Sequence, residues 1–204
     1  MPFERVTYIG SSFDDAELFA MLPPDLSALL LEENGVVAYG GGFHVRGACR
    51  EPAWHSLRRA WLGSECVATR YSSVHRSDIP FAEDALGDQF LLRDGIVHRL
   101  RSESGVVESL AVDLADFITN VQQAPIEYLS LEPLLAFEET GCRLEPGQLL
   151  NVYPPYCAVH QGRRSMRAIS AAEQLAFLAS FARQMREVPD GGQVRIRVSD
   201  TADD

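Results

Sequence analysis

The sequence between residues 78 and 100 reads DIPFAEDALGDQFLL, then RDG, then IVHRL. Apolar residues dominate both sides of the Asp94-Gly95 pair, and an Asp-Gly pair between two such runs is typical of a tight β-hairpin turn. A second turn at residues 104–105 leads into a valine pair at 106–107. These residues therefore predict a three-stranded antiparallel meander.

Helical and extended segments surround this meander. The stretch from Pro23 to Gly35 has proline in its first turn, leucine at helical spacing and an Asn-Gly pair at its end, so it predicts a helix. Short strands are expected at 36–39 and 43–46, joined by a glycine-rich turn. Further helices are expected at residues 12–19, 52–62 and 112–121.

The order of these motifs resembles the SUKH superfamily, the Smi/Knr-type domain. In that family an I-P-F-A-x-D-x-x-G-D/N stretch leads into a hairpin, and residues 79–88 match it. An L-P-x-x-L…N-G helix matches residues 22–35, and a closing helix follows around Phe117. The resemblance spans roughly residues 10–122. It implies an α+β fold, with a twisted, mainly antiparallel sheet flanked by helices.

The resemblance divides the chain into a SUKH-like domain over residues 1–124 and a C-terminal extension over residues 125–204, which has no counterpart in the family. In the extension we expect a helix at 126–137, a long amphipathic helix that begins at the capping box 170–173, and a final strand at 194–198. Because the apolar stripe of the long helix must be buried, we expect the extension to pack on the first domain.

The charge is strongly acidic and unevenly distributed. The net charge is −11, from 18 basic and 29 acidic residues, and every basic residue is arginine. Residues 1–45 hold seven acidic side chains and one Arg, and residues 108–145 hold eight and one. An acidic protein repels phosphate backbones, so we expect no nucleic-acid partner. Faces of one sign attract oppositely charged partners. The alternative is that the acidity only maintains solubility.

Several features bear on the compartment. No apolar run reaches the roughly 18–20 residues that a membrane helix needs, so no membrane partner is expected. Residues 1–5 lack the start of an export signal, and we expect a cytoplasmic protein. The cysteines are too widely spaced for a disulfide framework, so we expect reduced thiols. They are Cys49, Cys66, Cys142 and Cys157.

No motif indicates catalysis, a cofactor or a metal. The glycine run at 40–42 lacks the Lys-Ser/Thr of a P-loop, and Val45 stands where a dinucleotide motif needs its third glycine. Histidines and cysteines show no metal-ligand spacing, although a zinc site from His44, Cys49 and Cys66 is an alternative. We therefore expect no catalytic residue, cofactor or metal, and a protein that is not an enzyme.

The resemblance implies two functions. Many bacterial members of the family are immunity proteins that bind and neutralise a cognate toxin domain of a polymorphic or contact-dependent system, and fungal relatives are regulatory or scaffolding modules. We favour immunity because an acidic inhibitor would attract a basic nuclease toxin. A regulatory module is the alternative, and a hydrolase with a cysteine nucleophile is a third. Partner contacts are expected at loop or helix-end positions near the family motifs, namely Glu32, Glu33, His44, Arg46, Asp84 and Asp88.

Overall fold

The computed structural model describes residues 3–158 and 162–186, and it has the predicted α+β architecture. A seven-stranded antiparallel sheet carries helices on both faces, and a two-stranded sheet follows. The strands are β1 (Tyr8–Ile9), β2 (Val36–Ala38), β3 (Phe43–Val45), β4 (Ile79–Asp84), β5 (Gln89–Arg93), β6 (Ile96–Arg101), β7 (Val106–Ser109), β8 (Gln148–Tyr153) and β9 (Ser165–Ser170). The helices are α1 (Ala16–Phe19), α2 (Pro24–Glu32), α3 (Leu57–Leu62), α4 (Val67–Arg70), α5 (Leu114–Gln123), α6 (Pro125–Leu129), α7 (Glu132–Glu139) and α8 (Ala171–Arg186).

The large sheet is a simple meander. Strands β1 to β7 are neighbours in chain order, and each is antiparallel to the next. The turn between β5 and β6 holds Asp94 at φ 51° and Gly95 at φ 80°, which is the pattern that closes a two-residue hairpin. The predicted hairpin and its third strand, β7, are therefore confirmed. The glycine run at 40–42 lies in a turn between β2 and β3, as predicted.

The central strands are buried on both faces. Successive side chains of a strand point to opposite faces, so Phe90 and Leu92 of β5 share one face, and Gln89 and Leu91 share the other. All four side chains are buried. We call the face of Phe90 the first face and the face of Leu91 the second face.

The first face is packed against α2, α5, α6 and α7. The Phe117 ring of α5 lies 6.2 Å from the ring of Phe43, 5.8 Å from that of Phe81 and 4.8 Å from that of Phe90, measured between centroids. Helix α2 contacts α5 and buries three leucines, and α6 follows α5 directly. This aromatic and aliphatic contact forms the main core.

The second face is covered by α3, α4 and α8. Tyr71, which caps α4, and Ala182 of α8 belong to a second buried cluster with Leu91 and Leu100 of the sheet. Helix α3 contacts β4. Among the described residues, no helix is both long and apolar enough to cross a bilayer.

The extension packs on the sheet, as predicted, at the turn between β4 and β5. The Leu150 N–H of β8 donates to the Ala85 carbonyl at 2.8 Å. Gly87, at φ +95°, faces Leu175 and Leu178 of α8, and a Cβ added there would lie 3.0 Å from Leu178 Cδ1. The β8–β9 hairpin was not predicted, and the expected strand at 194–198 lies outside the described residues.

Two helices are shorter than predicted, and a third is divided into two. The helix expected at 52–62 begins only at Leu57, because Ser56 caps its N-terminus. The helix expected at 12–19 begins at Ala16, after Asp15. The helix expected at 126–137 is divided into α6 and α7, since Pro133 cannot donate to residue 129 or sit beside its carbonyl in a continuous helix. The long helix and its cap at Ser170 are confirmed.

Candidate functional site

The six predicted contact residues do not share one surface. Glu32 ends α2 and is exposed, and Glu33 caps that helix and is half-buried. The other four are buried: His44 and Asp84 lie in strands β3 and β4, and Arg46 and Asp88 lie in the loops that follow these strands. Their exposed fractions are 6% for His44, 2% for Arg46, 1% for Asp84 and 9% for Asp88.

His44 and Arg46 converge on Glu83 at the second face. Arg46 Nη2 donates to Glu83 Oε2 at 2.6 Å and to Gln89 Oε1 at 2.7 Å, and Arg46 Nη1 donates to the Pro80 carbonyl at 2.8 Å. Burial by itself would raise the pKa of Glu83, but Arg46 and then His44 lower it to about 2. Glu83 is therefore a buried, paired carboxylate, and its removal or the removal of Arg46 would leave an uncompensated charge.

The same network continues into a pair of histidines. His44 Nδ1 lies 2.9 Å from Glu83 Oε1, and His44 Nε2 lies 2.9 Å from His55 Nδ1. His55 Nε2 lies 3.0 Å from the Asn34 carbonyl, so that nitrogen must carry the proton. Neutral His55 then accepts from His44 Nε2. The remaining contact needs one proton between His44 Nδ1 and Glu83.

The two histidine rings titrate below their ordinary range. Burial lowers the pKa of His44, against the opposing effect of Glu83. Burial, followed by the nearby His44, lowers the pKa of His55 to about 4. The hydrogen-bond chain and the charge of Glu83 favour a proton on His44, whereas burial disfavours it. The lowered pKa of His55 makes that ring neutral at pH 7.

Asp84 and Asp88 form a separate network at the first face. Asp84 Oδ1 accepts from the backbone N–H groups of residues 86, 87 and 88 at 3.0, 3.1 and 3.0 Å. Arg99 donates to Asp84 Oδ2 at 2.5 Å and to Asp88 Oδ2 at 3.0 Å. Burial and the neighbouring Asp88 raise the pKa of Asp84 to about 7, against the effect of Arg99. These carboxylates hold the turn before β5 in place.

Exposed charge is segregated between the two helical layers. We call α2, α5, α6 and α7 the acidic layer, because every charged residue in these helices is acidic. Glu138 is half-buried and paired with Arg5 and Arg143, and the others are exposed. The charged residues of the layer are Asp25, Glu32, Asp116, Glu127, Glu132, Glu138 and Glu139.

The helices of the second face carry five arginines and one acid, and three of the arginines pair with acids outside these helices. Their charged residues are Arg58, Arg59, Arg70, Glu173, Arg183 and Arg186. Two acids of residues 1–45 and five acids of residues 108–145 therefore lie in one layer, in which α2 contacts α5. Asp15 and Glu17 of the first stretch instead pair with Arg58 of α3. The sequence predicted an acidic surface, and the structure gives its place.

The cysteines and histidines form no metal-binding cluster in the part of the chain that the structure describes. No group of three or more His, Cys, Asp or Glu residues there is placed to hold a metal ion, so the zinc alternative gains no support. Burial raises the pKa of Cys49 to about 11 and that of Cys157 to about 11. An active thiolate needs a shift in the other direction.

Sequence reasoning misses Glu83, His55 and Gln89, which complete the network around His44 and Arg46. In the sequence, Glu83 stands beside Asp84, and such a pair of acids is typical of solvated surface charge. One local signal argues against a solvated Glu83: the residue lies between two apolar runs in residues 79–92.

Comparison of this chain with known proteins identified no related sequence or structure. Searches of protein-family models, of curated proteins and of solved structures found no match to this chain. The resemblance to the SUKH superfamily consequently stays a prediction based on sequence motifs.

Proposed function

We propose that this chain is an immunity-type protein that captures a basic toxin domain through its acidic layer. The observation that carries the proposal is the segregation of charge: four neighbouring helices present acidic side chains and no basic ones. The family resemblance supports the same function independently.

The geometry suits fast capture of a basic partner. Carboxylates on rigid helices are already in place before the partner arrives, which lowers the entropic cost of binding. A face of one sign attracts an opposite face over roughly one Debye length, about 8 Å at physiological salt. Such attraction mainly raises the association rate. Neutralisation by coverage requires no catalytic group on this chain.

Glu32 lies at an unfavourable place for a helix acid. It ends α2, where the negative end of the helix dipole disfavours a carboxylate. Local costs of this kind are expected at functional positions. Of the six predicted contact residues, Glu32 is therefore the one that lies in the acidic layer and stays a candidate contact.

The test uses the toxin-bearing reading frame expected beside this gene. The double variant Asp116→Lys/Glu127→Lys reverses two exposed charges of the acidic layer, and Glu65→Lys/Glu173→Lys makes the same change in net charge with two exposed residues of the second-face side. We expect the first variant to associate about tenfold more slowly with the toxin domain at low salt, with the difference shrinking as salt rises. The second should change the rate by less than about twofold.

Two results would reject the proposal. If both double variants slowed association with the toxin equally, only net charge would matter and the acidic layer would not be the binding surface. If co-expression of this chain failed to protect cells from the toxin, the immunity function would be rejected. A gene without a toxin-bearing neighbour would favour the regulatory alternative.

A further inference from the structure

A cavity of about 440 Å³ opens on the second face, between the sheet, α3, α4 and the start of α8. Buried polar groups from Arg46, Glu83 and Gln89 lie at the sheet side of this cavity. The space is within the 300–1,000 Å³ range of small-molecule sites. It lies across the sheet from the acidic layer, so a ligand bound there would serve a function separate from toxin capture.

One guanidinium at this cavity has hydrogen-bonding capacity left. Arg70 lines the cavity, and its Nη1 is buried without a hydrogen-bond partner among the described residues. Its Nε donates to the Glu65 carbonyl at 3.0 Å, and its Nη2 lies 3.8 Å from the Glu65 carboxylate, beyond hydrogen-bond distance. Nη1 itself is sealed from the cavity, whereas Nη2 makes no hydrogen bond to a described residue and belongs to a side chain that is 21% exposed, so Nη2 is the donor that a ligand can reach.

The charges around the cavity favour a single negative group. Glu83 compensates Arg46 in a close pair, and Arg59 pairs with Glu51 at 2.8 Å. The Glu65 side chain is 80% exposed, so water screens its attraction to Arg70. The first turn of α8 also lines the cavity, and the dipole of this 16-residue helix favours an anion there.

The rest of the lining is apolar and aromatic. Trp54, Ala60, Val67, Tyr71 and Leu175 contribute to the walls. A ligand that only hydrogen-bonded to Arg70 would leave these apolar walls in contact with water. A ligand with an apolar body and one charged end would use both parts.

We propose that this cavity binds a small organic monoanion, with a carboxylate at Arg70 and an aromatic or aliphatic body against Trp54 and Tyr71. A planar carboxylate matches the fork of a guanidinium, which favours it as the charged group. A dianionic phosphate is less suitable, because Glu83 and Glu65 also line the cavity.

The experiment measures binding of phenylacetate to the full chain by ligand-observed NMR and calorimetry. Phenylacetamide is the uncharged probe of the same shape. We expect phenylacetate to bind at least about tenfold more tightly than phenylacetamide, and Arg70→Leu to weaken phenylacetate binding by about tenfold. Arg143→Leu removes an arginine that is remote from the cavity lining and should leave the affinity unchanged.

A second variant keeps the test decisive if Arg70→Leu misfolds. Ala60→Trp fills the cavity without removing a charge, and near-UV circular dichroism checks that each variant keeps its fold. Loss of phenylacetate binding in folded Ala60→Trp supports the site. Equal binding of the two probes, no phenylacetate binding at millimolar concentration, or undiminished binding in folded Arg70→Leu would overturn it.

Discussion

The two faces of the sheet differ in their central contacts, although each face also holds contacts of the other kind: the Arg99 network lies at the first face, and Leu91 and Leu100 are buried at the second. At the first face, Phe43, Phe90 and Phe117 pack ring against ring under an acidic layer, while at the second face Arg46 and Glu83 form a hydrogen-bonded network beneath arginine-bearing helices. Apolar packing is non-directional, so the exterior of the acidic layer can hold one sign of charge without disturbing the contacts beneath it. The second face depends on directional bonds that act as a unit.

The largest effect should come from breaking the buried pair of the second face. Arg46→Met leaves the Glu83 carboxylate buried without its cation and should lower the free energy of unfolding by about 3–5 kcal/mol in urea titrations. The control Arg143→Met removes an arginine whose side chain is 72% exposed and should cost less than about 1 kcal/mol. If the two variants cost the same, the second face does not depend on its ion pair.

Acid should weaken the second face in a defined window. The pKa of His55 falls from 6.5 to about 4 on folding, so the folded state favours the neutral ring. The resulting stability is present above pH 6.5 and is lost as the pH falls from 6.5 to 4, by up to about 3 kcal/mol. The pKa of Glu83 falls from 4.5 to about 2 on folding, so its contribution to stability is lost as the pH falls below 4.5.

Urea unfolding at pH 7.5, 5.5 and 4.5 measures this dependence. His55→Gln should flatten the upper window, whereas His98→Gln, at a half-buried position on β6, should keep the wild-type profile. An unchanged profile in His55→Gln would mean that the acid sensitivity arises elsewhere.

A smaller effect compares one helix cap from each face. Asp113 accepts from the Asp116 N–H at 2.8 Å and caps α5 in the acidic layer, so Asp113→Ala should cost about 1 kcal/mol and Asp113→Asn almost nothing. Ser56 caps α3 and also donates to the Cys49 carbonyl at 2.6 Å while buried. Ser56→Ala should therefore lower the thermal midpoint more than Asp113→Ala. The reverse order would contradict the view that polar contacts matter most at the second face.

Local signals explain which parts of the fold the sequence predicted. Asp94 and Gly95 specify their hairpin by their own backbone preferences, and Ser170 marks the start of α8. The β8–β9 hairpin has no comparable signal, because eleven residues that include a Pro-Pro pair separate its strands. Its position depends on packing at residues 85–87, far away in the sequence.

The candidate site was predictable only in its charge. Counting acids in 1–45 and 108–145 predicts an acidic surface, but the layer that seven of those fifteen acids share follows from helix packing. The burial of His44 and Arg46 follows from the segment around His55, which covers the second face of β3. Glu83 meets Gln89 because the β4–β5 register places them opposite each other. No short stretch of sequence encodes these arrangements.

The packing of the extension against the turn at Gly87 has a consequence for folding during synthesis. Leu150 and Leu178 are among the later residues of the chain, yet they pack around a turn whose strands are made much earlier. During translation the turn between β4 and β5 stays uncovered until these leucines have been synthesised. The emerging chain therefore exposes the apolar surface at this turn until α8 has left the ribosome. A ribosome stalled after residue 124 would display that surface to chaperones.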